Sequence, residues 1–263
     1  MVKITQVFEV LKQHGITFLF KRALARLFGE QISNYEVIEE LFSGKSGLEV
    51  GGPSGVFRDG GYIPLYKIVK ELDGCNFSNT TIWEGSIENG EKYDFYKDKK
   101  GVQYICEAAD LNQIPGFKYE FVISSNCLEH VANPLKAIKE WLRVMKKDGL
   151  LLLVLPNKDY CFDHNRPITK FSHMLDDYEN NTGEDDLTHL DEILKLHDLK
   201  MDKPAGSFEE FKERSLKNFE NRALHHHVFN IEVLKEIFEY FKMDVLHTDE
   251  GREHIILGRK KIE

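Results

Sequence analysis

A glycine-rich turn that carries one carboxylate is the first part of the sequence suited to bind a ligand. In the stretch "SGLEVGGPSGVF", a short apolar strand leads into the spacing Glu49-x-Gly51-x-Pro53-x-Gly55. Phosphate groups bind to backbone N–H groups at such turns, but proline lacks this donor, and a nearby carboxylate would repel an anion by an energy on the order of a few kcal/mol. The turn therefore favours a ligand whose nearest group is a cation, such as an ammonium or a sulfonium. The alternatives are a nucleotide-binding turn and a purely structural one.

A second group of reactive side chains lies in the polar region that follows Pro156. Removing a proton from a hydroxyl group requires an imidazole or a carboxylate within hydrogen-bonding distance, and this region is rich in both. A structural role, in which most of these histidines bind surface backbone, is the alternative for each of them. The catalytic candidates are His189, His164, His225 and Asp163.

The same region offers ligands for a metal ion. If residues 225–227 are extended, alternate side chains share a face, so His225 and His227 point together. With Asp163, His164 or His189 they could form a nitrogen and carboxylate site. No tight spacing motif such as HExxH is present, and we assign no metal ligand.

Strands and helices that alternate along the chain must position these groups. Segments with the pattern of strands lie at Gly47–Val50, Val102–Ala108, Tyr119–Ser125, Leu150–Pro156, Met243–Glu250 and Glu253–Lys260. Helical periodicity covers Val7–Phe28 with a break at Gly15, Val37–Phe42, Tyr66–Leu72, Asn133–Gly149 and Ile231–Phe241. This alternation predicts a parallel α/β sheet, whose ligands bind beyond the carboxyl ends of the strands. The turns after Val50, Ala108 and Ser125 should therefore face one cleft.

The composition limits the class of protein. The chain of 263 residues contains 41% hydrophobic and 30% charged residues, which is typical of a globular protein. Its formal charge of −9 argues against broad nucleic-acid binding, because affinity for polyphosphates depends on clustered Lys and Arg. No run of about 18 apolar residues occurs, so we expect no membrane-spanning helix. The segment Thr17–Phe28 could lie on a membrane surface, but we favour a helix that packs on the domain.

The cysteines and the N-terminus indicate the compartment. Four cysteines are scattered along the chain without a CxxC pair, so neither a zinc ribbon nor a redox motif is indicated. Residues Met1–Val10 lack the pattern of a signal peptide. We therefore expect a cytoplasmic protein with reduced thiols.

The stretch "YEFVISSNCLEHVANPLKAIKEWLRVMKKDGLLLLVLPN", Tyr119–Asn157, resembles the later half of the class I S-adenosylmethionine-dependent methyltransferases. A strand followed by "LEHV", "NPLKAIKEWLRV" and "KKDGLLLLVLP" carries this resemblance. It covers Gly47–Asn157 well, and the last helix and two strands more loosely. The resemblance implies an α/β, Rossmann-like fold with a seven-stranded, mostly parallel sheet, helices on both faces and a last strand inserted antiparallel. It also implies S-adenosylmethionine as the cofactor.

The resemblance assigns roles to the glycine turn and to the residues after Tyr119–Ser125. The turn would lie under the methionine part of the cofactor, with Glu49 near the amino end, directly or through water. The residues after the strand would line the methyl end of the pocket. The positions implied for the turn and the methyl end are Gly51, Gly52, Pro53, Ser54, Gly55, Ser125 and Asn126.

Two further cofactor contacts are implied. For the ribose hydroxyls we favour Glu84, because a carboxylate can accept hydrogen bonds from both; Asn76 is the alternative. Asp110 resembles the acidic residue that accepts from the adenine amino group, with Ala109 and Leu111 beside the ring. Asp110 could instead cap a helix.

The polar regions Phe162–Leu199 and Asn221–Asn230 resemble a subgroup of bacterial methyltransferases that is associated with surface-polysaccharide gene clusters. This resemblance implies a sugar hydroxyl as the methyl acceptor. We therefore predict methyl transfer to a hydroxyl of a sugar or glycan precursor with a histidine base, and we interpret Glu129 and His130 as packing residues. The alternatives are methylation of nitrogen or oxygen in another small metabolite, and a non-catalytic cofactor-binding module. Glu49 and Pro53 argue against a nicotinamide-dependent oxidoreductase.

The predicted organisation has four regions. They are an N-terminal helical extension at 1–45, the cofactor-binding core at 46–158, an inserted helical cap at 159–224 and the completion of the core sheet at 225–263.

Overall fold

The computed structural model describes residues 31–81, 85–90 and 92–261. Its strands are β1 Ser46–Val50, β2 Glu71–Asn76, β3 Thr80–Thr81, β4 Gly85–Ser86, β5 Lys92–Tyr96, β6 Lys99–Ile105, β7 Tyr119–Ser125, β8 Met145–Pro156, β9 Met243–Glu250 and β10 Glu253–Lys260. Its α-helices are α1 Tyr35–Phe42, α2 Pro134–Val144, α3 Phe171–Glu179, α4 Leu190–Leu196, α5 Phe208–Leu216, α6 Asn218–Asn221 and α7 Ile231–Tyr240. Most of the predicted N-terminal extension lies outside the described residues.

An eight-stranded sheet organises the described part of the protein, in the order β5-β6-β2-β1-β7-β8-β10-β9. Strands β6, β2, β1, β7 and β8 run parallel, whereas β10 is inserted antiparallel between β8 and β9. This arrangement confirms the predicted Rossmann-like fold. The structure adds to the seven predicted strands an eighth, β5, which pairs antiparallel with β6 at the edge of the sheet.

Apolar side chains cover both faces of the central strands. Successive strand residues point to opposite faces. In β8, Leu151 and Leu153 pack in the cluster that contains α2 and α7, whereas Leu150 and Leu152 pack in the cluster that contains α1. A strand that is buried on both faces has a continuous apolar sequence, which explains the run of leucines.

Helix α2 begins where the sequence predicts but ends earlier. Asn133 caps its N-terminus, because its side chain accepts a backbone hydrogen bond from the first turn at 3.0 Å. At the other end, the carbonyls of Arg143 and Val144 accept the N–H groups of residues 117 and 118, just before β7. The chain then continues directly into β8. The prediction that this helix extends to Gly149 is therefore wrong.

The predicted helix at Tyr66–Leu72 is also wrong. The backbone turns at Tyr66, and β2 begins at Glu71. Leu72 lies beside Gly47 in the sheet, and the Tyr66 ring is fully buried. The apolar spacing comes from a buried turn followed by a buried strand, which periodicity over a short window does not distinguish from a helix.

Helices α3 to α6 lie between β8 and α7 in the chain, where the sequence predicts an inserted cap; this region is called the cap below. A small apolar core holds it together, formed by Ile193, Ala205, Phe211 and Leu224. Helix α5 begins with a capping box between Ser207 and Glu210. No helix within the described ranges is long and apolar enough to cross a membrane, and the segment Thr17–Phe28 lies outside those ranges.

Candidate active site

A cleft of about 630 Å³ opens at the carboxyl ends of β1, β2, β6 and β7. This edge is where parallel α/β sheets bind ligands, and the volume lies within the range of small-molecule sites. The cleft wall contains six residues that the sequence assigns to the cofactor, namely Gly51, Pro53, Ser54, Gly55, Ser125 and Asn126.

The glycine turn forms the floor of the cleft. Gly51 has a φ of 84°, a conformation that glycine adopts at little cost. A Cβ atom at this position would lie 2.8 Å from the Cβ atom of Cys127, so glycine lets the turns after β1 and β7 approach closely. A Cβ atom at Gly55 would meet no atom within 4 Å. The turn therefore leaves open space above it for a ligand.

The Glu49 carboxylate lies beneath this turn and not in the cleft wall. It is fully buried and accepts hydrogen bonds from the Tyr66 hydroxyl at 2.7 Å, the Tyr93 hydroxyl at 2.8 Å and the Ser54 N–H at 2.9 Å. A side chain at Gly52 would overlap the carboxylate. Burial raises the pKa of Glu49, although these hydrogen bonds oppose the shift. Glu49 thus supports the turn from below, and its contact with the amino end of the cofactor, directly or through water, stays a prediction.

Asn76 ends β2 at the cleft wall. Its amide donates to the Gly52 carbonyl at 2.9 Å, and its Oδ1 atom is buried without a hydrogen-bond partner. Buried polar atoms normally have a partner, so this oxygen is suited to accept a hydrogen bond from a ligand. Glu84, which the sequence favours for this role, lies outside the described residues.

The loop after β6 presents residues 106–108 to the cleft, among them the carboxylate of Glu107. The predicted adenine-binding residues lie elsewhere. Ala109 and Asp110 line a separate surface depression, and Leu111 is fully buried in the core. Strand β6 ends at Ile105, three positions before the predicted Ala108, so residues 106–108 follow the strand at the cleft in place of residues 109–111.

Charged side chains from the cap complete the cleft wall on one side. Arg222 donates to Glu107 at 2.6 Å, and its Nε atom lies 3.6 Å from the Glu184 carboxylate. Burial raises the pKa of Glu184 to about 7, although the charge of Arg222 opposes this shift. The cap and the core meet at this network, so a ligand in the cleft would touch both.

His130, from the "LEHV" motif, lies in the cleft wall. Its Nδ1 atom is 3.0 Å from the carbonyl oxygen of Leu224, so this nitrogen carries the proton and Nε2 carries the lone pair. Its ring meets the edge of the His225 ring, with the centroids 4.5 Å apart. Burial and the neighbouring His225 lower the pKa of His130 to about 3. The imidazole is therefore neutral at physiological pH.

A buried ion pair lies behind His130. The Nδ1 atom of His225 is 2.5 Å from Oδ2 of Asp163. Burial opposes the charged form of each partner, but their hydrogen bond raises the pKa of His225 and lowers that of Asp163 to about 2. Arg166 binds Asp163 at 3.0 Å and the His225 carbonyl at 2.8 Å. His225 and Asp163, two of the predicted catalytic residues, thus form an ion pair that the His130 ring separates from the cleft.

Glu129 lies beside this pair. Its carboxylate is buried, and neither oxygen has a hydrogen-bond partner. Ligand-type atoms of Glu129, His130 and His225 lie within 4.8 Å of one another. Burial raises the pKa of Glu129 to about 7. The interpretation of Glu129 and His130 as packing residues therefore misses a cluster of titratable groups.

The other two candidate bases, His189 and His164, are not in the cleft wall. The Nε2 atom of His164 lies 3.0 Å from the Asp198 carboxylate. The Nε2 atom of His189 lies 2.9 Å from that of His173. Both imidazoles therefore bind partners within the cap.

A match to a known protein family agrees with a ligand-binding role for the cleft. The family described as "Methyltransferase domain" matches residues 16–248 of the 263-residue sequence. The chain belongs to this family. It is a methyltransferase, which agrees with the predicted cofactor, S-adenosylmethionine.

Solved structures with this fold have distant sequences. The methyltransferase is similar to one from Mesorhizobium loti, with a TM-score of 0.50, 9% identity, and coverage of 86% of this chain and 95% of that one. A possible histamine N-methyltransferase from Thermotoga maritima has a TM-score of 0.45 and 17% identity, with coverage of 96% and 97%. At 9% identity, the likeness to the Mesorhizobium loti structure shows the fold alone. No protein of curated function matches the sequence significantly.

Several cleft residues of the methyltransferase were not assigned from the sequence. His130 and Glu107 follow the ends of β7 and β6 closely, so their positions in the chain could have indicated them. Arg222 comes from the cap, and Glu253 comes from the start of β10. Their place in the wall depends on how distant segments return to the cleft, which no local motif signals.

Replacing Glu49 by Gln tests whether its charge acts on the cofactor. Because the carboxylate lies beneath the turn, Glu49→Gln should weaken S-adenosylhomocysteine binding by less than about tenfold, or about 1.4 kcal/mol. Asn76→Ala removes a polar atom of the cleft wall and should weaken binding more. Isothermal titration calorimetry measures both. A larger loss in Glu49→Gln than in Asn76→Ala would show that the charge attracts the cofactor directly.

Proposed function

We propose that this methyltransferase transfers a methyl group to a hydroxyl oxygen of a sugar or glycan precursor. The observation that carries this proposal is the polar part of the cleft wall, to which His130, Glu184, Arg222 and Glu253 all contribute. These groups supply hydrogen-bond donors and acceptors, which a polyhydroxylated ligand can satisfy. The buried Oε2 atom of Glu253 has no hydrogen-bond partner, and an apolar acceptor would leave it unpaired at a cost in free energy.

The remaining cleft wall would hold S-adenosylmethionine, which supplies an electrophilic methyl group when bound. The turn at Gly51 lies under the methionine part, and Oδ1 of Asn76 accepts a hydrogen bond from the ribose. Glu107 accepts from the adenine amino group, in place of the predicted Asp110. Ser125 and Asn126 line the methyl end. The open space above the turn and the unpaired Asn76 oxygen support this placement.

His130 accepts the proton of the acceptor hydroxyl. The Leu224 carbonyl fixes the ring through Nδ1, which leaves the lone pair on Nε2. The low pKa makes His130 a weak base that is unprotonated throughout the physiological range, so positioning of the hydroxyl contributes much of the acceleration. His225 and Asp163 are positioning residues that pack behind the ring.

A panel of acceptors tests the proposed chemistry. The protein is incubated with methyl-labelled S-adenosylmethionine and either nucleotide sugars, glycan fragments or small amines. We expect a sugar product that is heavier by one methyl group, with the label on oxygen. Label on an amine nitrogen, with none on any sugar, would contradict the proposed acceptor class.

Glu253 is a second candidate for the base. It lies in the cleft wall, and its buried Oε2 atom has no hydrogen-bond partner. Burial raises the pKa of Glu253 to about 7. A general base is most effective when its pKa is close to the working pH, so this carboxylate is the specific competitor of His130.

Single-turnover methylation at several pH values separates the two candidates. His130→Gln should lower the rate by about 100-fold or more, with little change in S-adenosylhomocysteine affinity, and Glu253→Gln by less than about tenfold. A base is active when unprotonated. Because the pKa of His130 is about 3, protonation of the base should not slow the wild type between pH 8 and 5. A rate that falls below pH 7 and depends mainly on Glu253 would assign the base to Glu253.

A further inference from the structure

The cap contains a second group of convergent side chains, which methyl transfer does not use. His173 and Asp177 lie one turn apart on α3, His189 immediately precedes α4, and His227 lies in the segment that leads into α7. Ligand-type atoms of the three histidines lie within 4.8 Å of one another. Three separate segments of the chain therefore bring three imidazoles and one carboxylate to a single point.

The distances between these groups match those around a tetrahedral metal ion. Nε2 of His173 lies 2.9 Å from Nε2 of His189 and 3.5 Å from Oδ2 of Asp177, and Nε2 of His227 lies 3.0 Å from the same oxygen. Zinc binds histidine nitrogen and carboxylate oxygen at about 2.0–2.1 Å, so tetrahedral ligands lie about 3.3 Å apart. The three measured separations lie on both sides of this value.

Hydrogen bonds among the four groups explain their arrangement less well than a bound metal ion does. A neutral imidazole carries one proton. With that proton on Nε2, His189 can donate to His173 at 2.9 Å and His227 can donate to Asp177 at 3.0 Å. The lone pair on Nε2 of His173 then faces the Asp177 oxygen at 3.5 Å with no proton between the two atoms. A cation at the centre satisfies the lone pairs of all four groups at once.

Groups around Asp177 are arranged to hold it in place. The Thr182 hydroxyl donates to Oδ1 of Asp177 at 3.1 Å, the oxygen that does not face the histidines. The Asn133 amide, at the start of α2, donates to the Asp177 backbone carbonyl at 2.8 Å. Such outer partners orient metal ligands in proteins, and here they also join the cluster to the core.

We propose that His173, Asp177, His189 and His227 bind one Zn²⁺ ion. Nitrogen and carboxylate ligands in tetrahedral geometry favour zinc, and four protein ligands make a closed, structural site. The ion joins α3, the start of α4 and the segment before α7, and so fixes the cap on the core. This gives His189 a structural role in place of the predicted catalytic one.

The metal content of tag-free protein tests the proposal. The protein is mixed with excess Zn²⁺, separated from unbound ion by gel filtration and analysed by mass spectrometry. We expect about one zinc ion per chain in the wild type, and almost none in His189→Gln or His173→Gln. His164→Gln is the matched control, because this cap histidine binds Asp198 outside the cluster, and it should keep the ion.

Two measurements keep the test valid if a variant fails to fold. X-ray absorption of the zinc-loaded wild type should show nitrogen and oxygen ligands at about 2.0 Å with several imidazoles and no sulfur. Glu129→Gln alters the other histidine and carboxylate cluster and should keep the ion. Wild-type protein without zinc, or zinc that is lost in Glu129→Gln but retained in His189→Gln, would overturn the proposal.

Discussion

Gly51→Arg should abolish binding of S-adenosylhomocysteine to this methyltransferase, with a loss of about 100-fold or more in affinity, or about 2.7 kcal/mol. An arginine at a φ of 84° is strained. Its Cβ atom would press on Cys127, which also lines the cleft, so the rest of the side chain must enter the space of the ligand. Isothermal titration calorimetry measures the loss.

Gly44→Arg is the matched control for Gly51→Arg. Gly44 has a φ of 70° and open surroundings, and it does not line the cleft. This variant carries a similar backbone strain and should bind the ligand as the wild type does. If the Gly51 variant also binds normally, the glycine turn is not the floor of the cofactor site.

Arg166→Met should destabilise the protein by about 3–5 kcal/mol, the typical cost of breaking a buried ion pair. Arg166 is 1% exposed. It binds Asp163 at 3.0 Å, Glu192 at 2.9 Å and the carbonyls of His225 and His226. Methionine fills the volume but leaves these acceptors without a donor. Unfolding in urea, followed by circular dichroism, measures the change in free energy.

Lys217→Met serves as the control for Arg166→Met, because it also removes a cation from an ion pair in the cap. The Lys217–Glu213 pair is exposed to solvent, and such pairs contribute little to stability. We expect no measurable change in the urea midpoint. Equal midpoints in the two variants would mean that Arg166 does not join the segments of the cap.

Much of the fold is contained in local sequence patterns. The strands β7, β9 and β10 have the predicted ends. The helix predicted at Tyr66–Leu72 fails because contacts distant in sequence decide its structure. In particular, Leu72 pairs with Gly47 in β1. Such pairing leaves no mark in a window of a few residues.

The active site, like the fold, has parts that the sequence predicts and parts that it does not. The residues directly after β1 and β7 could be predicted, because strand order alone brings them to one edge of the sheet. The sequence does not show that two tyrosines bury the Glu49 carboxylate, since Tyr93 is distant in the chain. Nor does it show which histidines meet. His130 contacts His225, whereas His189 contacts His173, and this choice depends on the path of the cap.

A crystal structure of the protein with bound S-adenosylhomocysteine is the most direct test of how the cleft is used. We expect the methionine part above Gly51, the adenine beside residues 106–108 and the sulfur on the side of Ser125 and His130. Adenine bound at Asp110, or the ligand bound away from the glycine turn, would contradict the assignment of the cofactor site.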